Sequence, residues 1–471
     1  MEEIRIKVLD AVHCQVMEGK SLITPCLTIQ ATFWKQGPYH KEAKTYNKVF
    51  MTGKLFFTGL LPRVEDYCRR QNITCKVSGR EGITNLPVSD QPSLPGVTFR
   101  PDQIQLMEQA LQGGRGIIKS PTGSGKTVIA AGIMSCYPKA KILFLCHTID
   151  LINQTYAELN RYGIGSLGRI GGGHGHDMTP RVIVSTMQSF VKLPPERYCD
   201  IFDIVMVDEA HHLTSLGDTK KTETGKKFVE STYAKILSKL LAPIRLGFTA
   251  TLPTAEESLL SMEALLGPVI GELTLKEGMD LGLLARPHIK IIRVPLNQNV
   301  RALRNYQDVY REGVVQNRAR NRLVAKEAYE RAEKDQTALI TVTVIEHGLN
   351  IQEMAQKIYG IDIPFIQGST QGDIREEIKA AFKNRSIKLV IATVTGGGVW
   401  REGINIPSLN CIINAAGGKG ELGLLQLLGR GMRTTDEKTE MIVIDFLDIS
   451  HHHLISHFGE RLWVYSENEW I

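Results

Sequence analysis

The sequence predicts an α/β protein of two tandem domains, each a parallel sheet covered by helices, behind a small N-terminal α+β module. Three observations carry this. Short, almost wholly apolar runs alternate with helix-length segments, in two successive series, which is how strands buried on both faces read. The 471 residues, 42% hydrophobic and 23% charged, exceed what one core holds and suggest about three domains. A stretch dense in Pro, Ser and Gly, Val88-Ser-Asp-Gln-Pro-Ser-Leu-Pro-Gly96, separates a differently patterned opening segment from the rest.

Residues 1–93 form the first expected domain. Ile4–Leu9 and Leu27–Phe33 read as strands, and Leu61–Gln71 as a helix behind the turn-like Thr58-Gly59. Residues 94–284 form the second, with strands at Gly116–Lys119, Ile142–Cys146, Val182–Ser185, Ile204–Val207 and Leu246–Phe248. Residues 285–471 form the third, with strands at Ala338–Val344, Ile363–Ile366, Leu389–Ala392, Cys411–Asn414 and Met441–Ile444. The seam falls near Leu284–Pro287, after the Gly-containing Glu277-Gly-Met-Asp-Leu-Gly282. The polar, Lys-rich Ser215–Lys227 reads as an inserted surface loop.

Composition narrows the class. No apolar run approaches the roughly 18 residues of a membrane span, and Met1-Glu-Glu-Ile-Arg lacks the apolar core of a signal peptide. A cytoplasmic protein is expected. Eight scattered cysteines form no C-x-x-C pair, so they read as reduced thiols rather than zinc ligands. The net charge of +6 permits a phosphate-rich partner without requiring one; residues 1–95 carry 13 Lys/Arg against 9 Asp/Glu.

Three motifs carry chemistry. Between a strand and a helix lies Ser120-Pro-Thr-Gly-Ser-Gly-Lys-Thr127, a Gly-rich loop whose N–H groups can converge on phosphates at a helix N-terminus. Thr122, Gly123, Ser124 and Gly125 line it. Lys126 suits the β- and γ-phosphates of ATP, and Thr127 suits Mg²⁺. Ser120 stands where the usual pattern has Gly. Next, the apolar strand Ile204–Val207 ends in Asp208 and Glu209, at the carboxyl edge where ligands of such sheets bind. Asp208 is the Mg²⁺ residue and Glu209 the group that orients or deprotonates water. This strand is expected beside the phosphate loop. Last, Gln426-Leu-Leu-Gly-Arg430-Gly-Met-Arg433 sets two arginines three apart on one helix face. Guanidinium groups bind phosphate oxygens in a planar fork, so Arg430 and Arg433 read as arginine fingers reaching across a cleft.

Taken together, Ser120–Thr127, Asp208-Glu-Ala-His211, Thr249-Ala-Thr251, Glu402-Gly-Ile-Asn-Ile-Pro407 and Gln426–Arg433 stand in the order found in superfamily-two helicases, which the chain resembles over about residues 95–450. The resemblance implies RecA-like domains and an ATP-driven nucleic-acid motor. It assigns Phe99-Arg-Pro-Asp-Gln103 to adenine reading through Arg100 and Gln103, and Gly403 and Asn405 to the nucleotide. Asn405 replaces the Asp of many relatives, an amide in place of a carboxylate. His211, Thr249 and Thr251 resemble residues that link nucleotide site to nucleic-acid groove. His147, Thr148, Thr186, Gln188, Gly368, Ser369 and Thr393 occupy positions where the family touches the strand backbone.

Within the superfamily, Phe56-Phe-Thr-Gly-Leu-Leu-Pro-Arg-Val64 and the tail Asp445-Phe-Leu-Asp448, His457, Arg461, Tyr465 are similar to phage recombination helicases, which remodel forks and Holliday junctions. The N-terminal module is then an accessory DNA-binding domain, or a cap on the first motor domain. The expected partner is single-stranded, forked or branched DNA, with RNA as the alternative, bound by a monomeric chain and with no membrane involved. RNA helicases, duplex translocases and ATPase switches share these motifs. Three further features read as decoys: Gly418-Lys-Gly420-Glu-Leu-Gly423, Gly171-Gly-Gly-His-Gly-His176 and His451-His-His453.

Overall fold

The structure is a computed structural model that describes residues 2–36, 41–80, 86, 88–89, 91–222, 225–394, 409–418 and 440–471. The chain divides into two compact units, Met1–Ser120 with Gly125–Leu273, and Thr274–Ile471 with Pro121–Ser124.

The first unit opens with a five-stranded sheet, ordered Met51–Thr52, Leu55–Phe57, His13–Glu18, Glu3–Val8, Thr74–Ser78. Along Glu3–Val8 the residues Ile4, Ile6 and Val8 are buried while their neighbours are not, the period-two signature of a sheet with one covered face. The helix Leu61–Arg70 covers that face with Leu61, Val64 and Cys68, which share one stripe at helical spacing. Thr28–Gln36 and Lys41–Val49 form a separate hairpin.

This module has no core entirely its own. Leu260 and Ala264 of the helix Glu256–Leu266 complete its apolar cluster. Gly59 lies so close to that helix that a Cβ would sit 2.2 Å from the Glu263 carbonyl oxygen and 2.6 Å from that of Ala264. Lys48 pairs with Glu257 and Arg63 with Glu263 at the same boundary.

The main sheet of this unit has seven strands, all parallel, ordered Leu167–Ile170, Val182–Thr186, Ile142–Cys146, Ile204–Val207, Ile244–Thr249, Arg115–Lys119, Val269–Glu272. Its five inner strands are those the apolar runs predict. The two edge strands are short and half polar, so their sequences carry no such run. Buried Arg245 donates to the carbonyls of Ala242, Leu265, Leu237 and Leu240, tying together the ends of the helices Thr232–Leu237 and Glu256–Leu266. The expected loop at 215–227 is instead a two-stranded hairpin, Gly217–Thr222 with Gly225–Glu230. Threonines, Phe228 and Val229 among the lysines favour extended pairing, which a reading of polarity alone hides.

The second unit holds six parallel strands, ordered Arg286–Val294, Glu440–Asp448, Cys411–Asn414, Ala338–Val342, Leu389–Thr393, Phe365–Ile366. Residues 286–287, read as seam, begin the nine-residue edge strand Arg286–Val294. Its charged, alternating sequence fits a strand with solvent along part of one face. No described helix is long and apolar enough to cross a membrane.

Gly59→Ala is expected to cost about 1–3 kcal/mol by overpacking the boundary with Glu256–Leu266, read as a lower urea midpoint. Gly165→Ala, where a Cβ meets nothing within 4 Å, should stay within about 0.5 kcal/mol of the parent.

Candidate nucleotide and nucleic-acid site

Because the seven strands run one way, their carboxyl ends share an edge. Across it come, in spatial order, Thr186 and Gln188, then His147 and Thr148, then Asp208 and Glu209, then Thr249 and Thr251, then Ser120–Thr127. The residues expected to touch nucleic acid stand on one side and the phosphate loop on the other, with the acids between. One expectation is corrected: the acid strand is not beside the phosphate-loop strand. Ile244–Thr249 lies between them and pairs with both, which sets its terminal Thr249 between acids and loop.

The loop is anchored on this middle strand, the buried Ser120 donating its N–H to the Thr249 carbonyl at 2.9 Å. Gly125 caps the helix Lys126–Cys136 with φ 89°, a left-handed conformation natural to glycine. A Cβ there would meet Gln103 Nε2 at 2.6 Å. Lys126 Nζ donates to the Ser120 carbonyl at 3.4 Å, and Thr127 follows in the first helical turn. Gln103 is buried and its Oε1 accepts the Arg100 N–H at 3.2 Å. Arg100 is itself forked onto Asp102 at 2.9 and 2.8 Å.

Glu209 adopts φ 47°, ψ 51°, a left-handed conformation that costs a non-glycine residue about 1–2 kcal/mol. It persists here at the turn into Ala210–His212, where the Glu209 N–H donates to Asp208 Oδ1 at 3.0 Å. Burial, with the Glu209 charge adding and Lys126 opposing, pushes the Asp208 carboxyl up to about 7. Two adjacent acids, one held that high, suit a divalent cation, whose charge relieves the crowding; Asp208 and the Thr127 hydroxyl are the residues that fit Mg²⁺.

His211 joins acid and threonine. Its Nδ1 lies 3.1 Å from Thr249 Oγ1 and 3.3 Å from Glu209 Oε2. The Thr249 hydroxyl spends its proton on the Thr251 carbonyl at 2.7 Å, so it accepts from His211, and Nδ1 carries the hydrogen.

Among the residues expected to touch nucleic acid, Thr148 and Thr186 cap helices, their hydroxyls accepting from Leu151 N at 3.3 Å and Ser189 N at 3.1 Å. Gln188 is exposed. In the second unit Gly368 and Ser369 are exposed after Phe365–Ile366, and Thr393 ends Leu389–Thr393, buried. Gly403, Asn405, Gln426, Arg430 and Arg433 lie outside the described residues. The tail residues come together: Arg461 forks onto Asp445 at 2.7 and 3.1 Å, and Tyr465 donates to the same carboxylate at 2.8 Å. Arg461 also holds the Gly418 carbonyl at 2.8 Å, and Arg320, paired with Asp448 at 3.0 Å, holds that of Ala415 at 2.8 Å.

Two residues escaped the motifs. His212 lies with its ring flat on that of His147, centroids 3.9 Å apart, and Tyr233 OH reaches His147 Nδ1 at 3.4 Å. The doubled histidine after Glu209-Ala210 was a visible signal for the first; nothing local marks the second. His451, His452 and His453 cluster as a metal site would. However, His451 accepts from His453 N and holds the Leu303 carbonyl at 3.1 Å, so both its nitrogens are engaged.

Comparison with known families decides the class. The type III restriction enzyme res subunit family matches residues 96–254, and the helicase conserved C-terminal domain matches residues 320–435. The chain is a superfamily-two helicase. The helicase is 25% identical over 354 residues to the ATP-dependent DNA helicase uvsW of Enterobacteria phage T4, covering 72% of this chain and 66% of the relative. It is 26% identical over 381 residues to the DNA 3'-5' translocase XPB2 of Sulfurisphaera tokodaii, covering 74% and 81%. Its fold matches that of Saccharomyces cerevisiae Dbp5 bound to RNA and ADP BeF3, with TM-score 0.53 and 16% identity over 79% of this chain and 88% of the other.

Glu209→Gln should retain ATP binding and lower turnover by about 10²–10⁴-fold, measured by equilibrium nucleotide binding beside steady-state hydrolysis. Asp208 also predicts a pH effect. Its folded carboxyl titrates near 7 against 3.8 unfolded, so the folded state keeps its proton longer. That contribution to stability is complete below about pH 4 and is lost as pH rises through 7. Without nucleotide or Mg²⁺, the wild-type Tm should therefore fall relative to Asp208→Asn between pH 5 and 8.

Proposed function

We propose that this helicase hydrolyses ATP to move along DNA and to unwind or branch-migrate forked and junction DNA, in replication, recombination or repair. The observation that carries the reading is the order along the carboxyl edge of the first sheet. Phosphate loop, coupling threonine, acid pair and the positions expected to touch nucleic acid follow one another on rigid strand ends, so a change at one end is felt at the other. The T4 relative is named as a DNA helicase and the archaeal one as a DNA translocase, which favours DNA over RNA.

In this mechanism Gln103 reads the adenine and Lys126 holds the β- and γ-phosphates. Thr127 and Asp208 hold Mg²⁺, which supplies charge neutralisation on the phosphates. Glu209 orients the attacking water and takes its proton, steadied by the His211 Nδ1–H. Gln426, Arg430 and Arg433 are assigned to catalysis, the arginines to phosphate charge during turnover, and Gly403 and Asn405 to the nucleotide. Nucleic acid is gripped through its phosphates, because a motor must pass every sequence. His147, Thr148, Thr186, Gln188, Gly368, Ser369 and Thr393 mark that path. The N-terminal module, residues 1–93, extends the DNA-binding surface. Eight cysteines without a disulfide suit a cytoplasmic compartment.

Hydrolysis rates with single-stranded DNA, duplex, fork, four-way junction and RNA, side by side, test the reading. Forked and junction DNA should stimulate most, and the same substrates should be unwound or migrated in gel assays. Lys126→Ala should abolish both while leaving the protein folded. Stimulation by RNA above DNA, or hydrolysis on duplex with no strand or junction movement, would turn the assignment to an RNA helicase or a duplex translocase.

A further inference from the structure

The strands Ile142–Cys146 and Ile204–Val207 are neighbours in the sheet, so the segments leaving their carboxyl ends run side by side. The first places His147 there and the second the turn Ala210–His212. The two imidazoles lie nearly parallel, 8° between planes and 3.9 Å between centroids, and His212 in turn meets the His211 ring at 4.3 Å. His211 reaches the Glu209 carboxylate at 3.3 Å and Thr249 at 3.1 Å. The backbone follows the same route, since the His212 N–H donates to the Glu209 carbonyl at 3.1 Å.

Rings packed face to face cannot tilt independently without a clash, and close-packed groups transmit strain. A phosphate drawn against His147–Thr148 therefore presses on His212, and His212 moves the turn that aims Glu209. Glu209 suits such control. Its left-handed conformation persists only while its surroundings hold it, so a displacement of the adjoining turn is enough to release it.

We propose that His212 is a positioning residue that couples nucleic-acid contact at His147–Thr148 to the Glu209 carboxylate through the stacked imidazoles. The proposal rests on the helicase reading above. The flat ring is what acts, so an aromatic replacement preserves the role and removal of the ring destroys it.

The test measures ATP hydrolysis with and without saturating single-stranded DNA and reads the ratio of the two kcat values. His212→Ala should lower that ratio at least about fivefold, with KM for ATP within about twofold of wild type, and His212→Phe should restore most of it. His147→Ala should lower the ratio similarly, and the double variant should fall no further than the worse single one, as for residues acting in series. Wild-type stimulation in His212→Ala, equal loss in the Ala and Phe variants, or multiplicative losses in the double variant would each overturn the proposal. So would an equal fall of stimulated and unstimulated turnover, which marks a local structural role. If His212→Ala does not fold, His147→Ala against His147→Phe makes the same comparison from the other ring, and equal stimulation in those two overturns it. A wild-type enzyme that no nucleic acid stimulates would remove the helicase reading itself, and this inference with it.

Discussion

The direction of seven parallel strands constrains everything else in the first unit. A parallel sheet needs a crossover after each strand, and those crossovers start from one edge. Loops as far apart along the chain as Ser120 and Thr251 are thereby gathered in a line. The strand order then decides which of them touch. Ile244–Thr249 sits between the acid strand and the phosphate-loop strand, and its last residue serves both. Its Thr249 carbonyl takes the Ser120 N–H while its hydroxyl takes the His211 Nδ1–H.

Charge explains why the acid pair is built under tension. Asp208 and Glu209 adjoin at a strand end buried enough to push Asp208 up to about 7, and the backbone at Glu209 is left-handed. Neither feature stabilises the fold above pH 7. Perturbed titration and strained backbone cluster at functional sites, and a crowded acid pair is suited to drawing in a cation. The histidines around it, 147, 211 and 212, lie in ring contact with one another or in hydrogen-bond reach of the acids and threonine. Polar groups thus occupy the centre of a carboxyl edge whose inner strands are largely buried and apolar.

The second unit uses buried ion pairs differently. Arg461–Asp445 and Arg320–Asp448 lie inside the protein, where desolvation offsets much of their attraction. Their specificity is the more useful property. Each guanidinium also takes a backbone carbonyl, Gly418 for one and Ala415 for the other. The segment that leaves Cys411–Asn414 toward residues 419–439 is therefore held at two points. The tail pattern of Asp445, Arg461 and Tyr465, legible in the sequence only as a resemblance, is in the structure one hydrogen-bonded group.

What the sequence determined by itself was local and periodic. Apolar runs too short for helices marked the inner strands, and the Gly-rich loop and acid pair marked their ends, because buried strands and phosphate loops demand those residue types in place. Edge strands such as Leu167–Ile170, Val269–Glu272 and Arg286–Val294 stayed hidden, since a strand with solvent beside it carries no obligatory pattern. The hairpin at 217–230 was hidden by its lysines for the same reason. Only the tertiary structure decided the order of strands, and hence that a third strand parts acids from loop, that Gly59 must be a glycine, and that His147 lies against His212. Each of these depends on atoms brought together from distant parts of the chain, where no spacing in the sequence constrains them.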